Sequence, residues 1–320
     1  MWIVPESAIP GLVDEASALE AIEATFAAMS RGAAYNFPVV REALGEGRQY
    51  GFKSGLDRVG GLLGVKVGGY FPGNAARAIP NHQSTVYLFD PESGKPTAMV
   101  GGNLLTALRT AAASSISIKH LARKDAKVLG MVGAGHQSAF QLRAAVRQRA
   151  FEKVVGWNLH PEMLPRLAET AAELGLPFEA VTLDDLGAQA DVIITITSSF
   201  DAILHDAQIR PGTHLACMGT DTKGKQEVEA ALLGRATVFA DEVAQSVTIG
   251  EAQHAVAAGL LAEGAITEIG AVITASHPGR TSEDEITLFD GTGVGLQDLA
   301  VAARAVAAAI EKGLAQEVAV

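Results

Sequence analysis

The segment Val128-Leu-Gly-Met-Val-Gly133-Ala-Gly135-His-Gln-Ser138 sets Gly-x-Gly-x-x-Ser between an apolar run that reads as a strand and a stretch with helical spacing. No other string in the chain limits the fold so tightly. Gly133 permits a tight turn, Gly135 lets the backbone approach a pyrophosphate, and the helix that follows offers free N–H groups and a favourable dipole to phosphate. Ser138 stands where a third glycine is usual, and a small side chain suffices there for close packing. A strand-to-helix turn without a ligand would use the same glycines. What favours a dinucleotide is the order of strand, turn and helix around them.

The surrounding sequence repeats that order. Residues 127–132, 153–158, 178–181, 191–196, 214–218 and 237–240 are short β-branched runs, and the intervening 137–149 and 162–174 carry Ala, Leu, Glu and Arg at helical spacing. Such alternation implies a doubly wound parallel sheet with right-handed crossovers. Residues 120–296 are therefore expected to form a Rossmann-like α/β domain. Residues 1–119 read differently, as α+β, with an Ala-rich helix near 17–30, strands around 61–67 and 84–90, a turn at Asp90-Pro-Glu-Ser-Gly94 and a helix from Leu104. After Gly291-Thr-Gly-Val-Gly295, the helix expected over 298–311 has no strand to feed. It is assigned with 297–320 to the first domain.

Composition excludes several classes. A length of 320 residues, 48% hydrophobic and 19% charged, suits two globular domains with ample core. Asp and Glu outnumber Lys and Arg 36 to 25, for a formal charge of −11, which argues against general affinity for nucleic acid or anionic membrane but not against local basic clusters. Cys217 is the single cysteine, so neither an intramolecular disulfide nor a Cys-rich metal cluster is expected, and the eight His show no paired ligand spacing with carboxylates. Met-Trp-Ile-Val-Pro-Glu-Ser lacks the basic and apolar regions of a signal peptide, and no run reaches the ~18 apolar residues of a membrane span. The expected location is the cytoplasm.

The second strand of a dinucleotide fold ends on the residue that reads the adenosine ribose. Here it ends Val155-Gly-Trp-Asn158-Leu-His160-Pro161. Asn158 suits ribose hydroxyls, and no arginine follows to clamp a 2′-phosphate, so NAD(H) is expected in preference to NADP(H). In the first domain, charged residues interrupt apolar segments. Arg109 falls in Gly102-Asn-Leu-Leu-Thr-Ala-Leu-Arg-Thr-Ala-Ala-Ala-Ser114, where a guanidinium needs either a buried structural acid or the carboxylate or phosphate of a ligand. Lys66 falls on the Leu62 and Gly64 face of its strand and is either snorkelling at an edge or held in a pocket with a lowered pKa. Arg41, after Asn36-Phe-Pro-Val-Val40, and Asn81-His-Gln-Ser-Thr85 are further polar insertions.

Together these strings resemble the ornithine cyclodeaminase/mu-crystallin family: Gly64-Val-Lys66, His82-Gln-Ser-Thr-Val86, the Gly102–Ala113 segment, Gly133-Ala-Gly-His-Gln137, Gly219-Thr-Asp-Thr-Lys-Gly-Lys-Gln-Glu227 and Phe289-Asp-Gly-Thr-Gly293. The resemblance spans nearly the whole chain. It implies a Rossmann domain plus a substrate-binding and homodimer-forming domain, with catalysis in the cleft between them. It further implies that Arg41, Lys66 and Arg109 hold a substrate carboxylate, with Lys66 also donating or accepting the proton, and that Asp221 stands beside the nicotinamide. The cofactor-binding residues so implied are Arg109, Thr110, Gly133, Gly135, His136, Gln137, Asn158, Thr197, Ser198, Met218, Gly219, Thr220, Asp221, Lys225 and Gly291. At Gly291 relatives often carry serine, so a bond to the cofactor there would have to come from backbone.

Among members, Asn36-Phe-Pro-Val-Val-Arg41, Asn81-His-Gln-Ser-Thr85, Met218-Gly-Thr-Asp-Thr-Lys-Gly-Lys225 and Asp241-Glu-Val-Ala-Gln-Ser-Val247 most resemble those that reduce iminosuccinate to L-aspartate with NADH in glyoxylate assimilation. A second carboxylate would need a second cationic subsite, for which Lys53, Arg77 and His82 are available. Cyclodeaminases, alanine dehydrogenases and ketimine reductases of the same family are the alternatives. A binding protein without activity is a further one, disfavoured by the joint presence of Lys66, Arg109 and Asp221.

Overall fold

A computed structural model describes residues 1–319, which form two compact units: Met1–Arg109 with the C-terminal segment from Val294, and Thr110–Gly293. In the first unit, seven strands occur before the glycine turn: β1 (Trp2–Val4), β2 (Ala34–Asn36), β3 (Val40–Gly45), β4 (Arg48–Asp57), β5 (Leu62–Tyr70), β6 (His82–Phe89) and β7 (Pro96–Gly101). With the C-terminal strand Gln316–Glu317 they make one sheet, ordered C-terminal strand, β1, β7, β6, β5, β4, β2, while β3 shares the β4 edge with β2. All pairs are antiparallel except β1 with β7. Helix Gly295–Glu311 lies across β4, β5 and β6 and buries Leu296, Leu299, Val301, Ala302, Ala305 and Ala309. The approach is close: a Cβ on Gly64 would stand 2.7 Å from Leu299, and one on Gly295 2.7 Å from the backbone of Ser54. Helix Glu15–Ser30 packs on that helix in turn, its N-terminus capped by Asp14, which accepts the Ser17 N–H at 2.7 Å.

In the second unit, β8 (Val128–Val132), β9 (Lys153–Trp157), β10 (Phe178–Ala180), β11 (Val192–Thr195), β12 (His214–Cys217), β13 (Thr237–Ala240), β14 (Thr267–Glu268) and β15 (Thr287–Asp290) form an all-parallel sheet. Its order, β10-β9-β8-β11-β12-β15-β13-β14, contains the 3-2-1-4-5 arrangement of a Rossmann fold. The order reverses between β8 and β11, and the crevice for a dinucleotide opens outside their C-terminal ends.

In this unit the sequence pattern misses two structural strands, the two-residue β14 at the sheet edge and the buried β15. β15 inserts between β12 and β13, whereas Thr287–Asp290 belongs to none of the expected strand runs. All four of its residues are buried, so it shows no alternation, and the glycines after it read as loop. Opposite the crevice, Asp191 ties the strand starts together by accepting the N–H groups of Lys127 at 2.7 Å and Val128 at 3.0 Å and a hydrogen bond from Arg123 at 2.7 Å.

Candidate active site

In the first unit two of the cations noticed in the sequence, Lys66 and Arg109, converge on an acid that was not. Helix Asn103–Leu121 begins where Glu6 accepts the N–H groups of Asn103 at 3.0 Å and Leu104 at 2.8 Å. One turn on, Thr106 and Arg109 share a face at i, i+3, and both are buried. Arg109 donates from Nε to Asp298 Oδ1 at 3.1 Å and from Nη1 to Gln297 Oε1 at 3.2 Å. Lys66, in the middle of β5, donates to the same Asp298 Oδ1 at 3.0 Å and lies 3.5 Å from Thr106 Oγ1. It is buried rather than snorkelling, with its side chain 9% exposed. Arg109 thus has a structural acid, the simpler of the two readings of a buried guanidinium.

Electrostatics make the cluster responsive. Burial drives the Lys66 ammonium down to about 8; Asp298 opposes this, while Arg109 and Arg41 add to it. Burial by itself would raise the Asp298 carboxyl, but Arg109, Lys66 and Lys53 outweigh it and hold that group below the usual carboxylate range. Asp298 is therefore a fixed anion, and Lys66 is the group with a transferable proton near neutrality. Lys53 is buried on β4 directly opposite Lys66, and Arg41 on β3 stands opposite Gly51. Arg77 is exposed, and His82 is half-buried at the start of β6 opposite Tyr70.

In the second unit the glycine turn divides its labour. Gly133 has φ +111°, and a Cβ there would stand 2.6 Å from the Ile196 carbonyl oxygen, so the protein's own backbone demands glycine. A Cβ on Gly135 would meet nothing within 4 Å, so its bareness serves something other than internal packing. The open approach beside the start of helix Ser138–Ala145 fits a pyrophosphate. Ser138 is buried and donates to the Gly135 carbonyl at 2.7 Å. Asn158 does more than the sequence suggested: its Oδ1 accepts the Ala134 N–H at 3.0 Å and its Nδ2 donates to His160 O at 2.8 Å, bracing the turn. One lone pair and one N–H remain for a ribose. His136 is exposed, and Gln137 stands at the N-cap position of the helix without a side-chain capping bond.

The loop after β12 is held from below. Glu227, buried, accepts from Thr195 Oγ1 at 2.6 Å, Thr197 N at 2.6 Å and Gly219 N at 2.8 Å, joining the ends of β11 and β12. Glu251, also buried, accepts from Thr220 Oγ1 and from the Glu227 N–H. Burial pushes Glu251 well above the usual carboxylate range, and the neighbouring Glu227 adds to the push. On this base Lys225 bonds Asp221 at 3.0 Å and Gly219 O at 3.3 Å, fixing the partly exposed Asp221 carboxylate. Thr197 is half-buried, Ser198 exposed and Thr110 buried. At Gly291 the backbone N–H is already committed to Cys217 O at 2.9 Å, and a Cβ would stand 2.5 Å from Met218 Cε. Met218 fills the place of a serine side chain, and only the Gly291 carbonyl is left for a bond to a ligand.

Asp298, Glu227 and Glu251, and the amide Gln297 beside Asp298, went unassigned because a lone polar residue in an Ala-rich or Gly-rich stretch has no local signature. Its partners reach it from far along the chain. Among the described residues no group of three His, Cys, Asp or Glu is placed to hold a metal ion, and no helix is long and apolar enough to cross a membrane.

Comparison with known proteins agrees with the fold. The family model "Ornithine cyclodeaminase/mu-crystallin family" matches residues 7–313. The iminosuccinate reductase of Paracoccus denitrificans is 63% identical over 319 residues, 99% of each chain. The crystal structure of that reductase in complex with NAD+ superposes with a TM-score of 0.95, covering 100% of this chain and 99% of the other. An archaeal alanine dehydrogenase dimer with bound NAD, 29% identical, reaches 0.94 over 100% and 99%. With a family match across nearly its whole length, a Rossmann unit and a Lys66–Arg109 cluster on the family's motifs, the chain belongs to the ornithine cyclodeaminase/mu-crystallin family.

Proposed function

We propose that the protein is an NAD(H)-dependent imine reductase that converts iminosuccinate to L-aspartate. The observation that carries this reading is the cationic set of the first unit: Lys66 and Arg109 on Asp298, with Lys53 opposite Lys66 and Arg41 near enough to influence it. A monocarboxylate does not call for so many buried cations, whereas a dicarboxylate does. The whole-chain identity to an iminosuccinate reductase supports the same substrate.

Arg109 and Arg41 hold the α-carboxylate. Of the three candidates for the distal carboxylate, Lys53 is the buried one beside Lys66, and we assign it that role. Lys66 protonates the imine nitrogen, making its carbon electrophilic. Bound NADH supplies the hydride. A C–H bond then forms at the imine carbon, the C=N π pair becomes the amine lone pair, and solvent returns the proton to Lys66. Asp221, steadied by Lys225, stabilises the positive charge of the protonated imine.

We further propose that NADH is preferred over NADPH. No arginine follows Asn158, and the nearest imidazole, His160, faces Glu162 at 3.6 Å, an acid unsuited to a 2′-phosphate. The working assembly is a homodimer. Tyr35, Tyr50 and Phe52 share one face of the β2–β4 edge at 39–41% exposure, an apolar surface suited to a second copy, and the archaeal relative is described as a dimer.

The test follows NADH absorbance with iminosuccinate formed in place from oxaloacetate and ammonia, against pyruvate plus ammonia and cyclic ketimines. Mole-for-mole oxidation of NADH with L-aspartate as product is the expected result. Ammonia released from ornithine with no net change in NADH would make the protein a cyclodeaminase instead. Lys53 disfavours that outcome, since ornithine would bring a second ammonium toward two lysines.

A further inference from the structure

Lys66 and Arg109 come from different elements, and both end on one oxygen, Asp298 Oδ1, at 3.0 and 3.1 Å. Asp298 is 1% exposed, in the first turn of helix Gly295–Glu311, where the helix dipole favours a carboxylate. Its neighbour Gln297 takes a second guanidinium nitrogen of Arg109, so one helical turn sets the plane of that guanidinium. Asp298 Oδ2 is equally buried and has no hydrogen-bond donor among the described residues. A buried ionic cluster is a poor source of stability, because apolar residues of the same volume do as well or better. The arrangement calls for a role in which charge matters.

Resting on the reductase reading, we infer that Asp298 is a positioning residue: it fixes the Lys66 ammonium beside Arg109 and keeps it charged until the imine takes the proton. The groups facing Lys66 leave Asp298 that task. Arg109 from helix Asn103–Leu121, Lys53 from β4 and Arg41 from β3 are all cationic and favour loss of the proton, and Thr106 is neutral. Asp298 is the acid bonded to Lys66, and Coulomb attraction at 3 Å in a dry site is what resists that loss. It does not compete as donor, since the same cations hold it ionised.

The experiment compares pH profiles of kcat/KM for iminosuccinate reduction in wild type, D298N and D298E, with NADH binding measured by fluorescence for each. The alkaline limb of the wild type reports loss of the Lys66 proton. In D298N that limb moves toward acid by roughly one pH unit, which at pH 7.5 lowers the charged fraction of Lys66 about threefold, and loss of its alignment takes the total fall in kcat/KM to about tenfold or more while NADH affinity stays within about twofold. D298E, which keeps the charge, returns the limb most of the way. An unmoved limb in D298N, with NADH bound normally, overturns the proposal and leaves Asp298 a structural role. Should D298N not fold, selective 13C labelling of the wild type decides: Lys66 Cε and Asp298 Cγ must shift at the same pH, and a Lys66 titration without response from Asp298 overturns it. That titration needs no substrate. A wild type that ignores iminosuccinate would sink the reductase reading and with it the imine as proton acceptor, while the titration still decides whether Asp298 holds the Lys66 proton.

Discussion

Lys53 on β4 and Lys66 on β5 stand directly opposite each other in the sheet of the first unit, both buried. Like charges in such a cross-strand pair destabilise the sheet unless an anion stands with them. Asp298 supplies one negative charge. A substrate with two carboxylates supplies two more, and this couples the architecture of the sheet to the choice of substrate.

The first prediction follows from that pair. Lys53→Gln removes the charge proposed for the distal carboxylate and leaves Lys66 in place. A charge-assisted bond contributes roughly 1.5–3 kcal/mol, so kcat/KM for iminosuccinate should fall about 10- to 100-fold. Reduction of the imine from pyruvate and ammonia, which has no distal carboxylate, should change less than about threefold. Equal losses on both substrates would remove Lys53 from the distal subsite. Thermal stability should hold or rise, because a like-charge contact is relieved.

Lys66→Met separates chemistry from cofactor binding. It keeps the buried volume while removing the donor, so turnover should drop about 10²- to 10⁴-fold, the usual range for a general acid. NADH affinity, proposed to rest chiefly on the glycine turn around Gly133 and Gly135, should stay unchanged. In the wild type the ammonium at about 8 means that the reductive rate is full at neutral pH and declines above it. Wild-type turnover in Lys66→Met, with normal folding, would show that the proton comes from elsewhere.

What the sequence disclosed, and what it hid, follows from the range of the interactions. The Rossmann unit was legible because Gly133, Gly135 and Ser138 act within one turn, and its strands are short apolar runs. Lys66 and Arg109 were legible as anomalies, each a charge inside an apolar element. Their partner was not, since Asp298 lies 232 residues from Lys66 and 189 from Arg109, and chain order does not say which acid answers which base. The same holds for Glu227 and Glu251, whose work is to join the ends of β11 and β12. Strand β15 was hidden for a different reason: burial on both faces erases the period-two signal.

The same substitution at two neighbouring glycines should have different consequences. Gly133→Ala forces a Cβ to 2.6 Å from Ile196 O at φ +111°, a backbone strain of about 1–3 kcal/mol that should lower the melting temperature by several degrees. Gly135→Ala meets nothing within 4 Å and should leave the melting temperature in place. Its methyl group would enter the space proposed for the pyrophosphate, so NADH affinity should fall about tenfold or more. Differential scanning fluorimetry and NADH titration on both variants check this, and normal NADH binding by Gly135→Ala would put the phosphates elsewhere.

Asp290 should give the protein a measurable pH dependence of stability. It ends β15, accepts the Ser246 hydroxyl at 2.5 Å and the Ala252 N–H at 3.2 Å, and is driven up to about 7 by burial, with Asp241 adding to the effect. The folded-state value lies above the ordinary 3.8, so between these two the folded chain holds a proton that the unfolded chain has lost. Stability from this group therefore falls as pH rises from about 4 to about 7 and is level above, a loss on the order of 4 kcal/mol. Asp290→Asn keeps an acceptor for Ser246 and Ala252 and does not titrate. Relative to wild type, the variant should gain stability steadily from pH 5 to pH 7.5, by urea denaturation or thermal midpoint. A difference that is constant or shrinks over that range would mean that Asp290 is ionised throughout, its charge balanced by groups other than the hydrogen bonds that hold it.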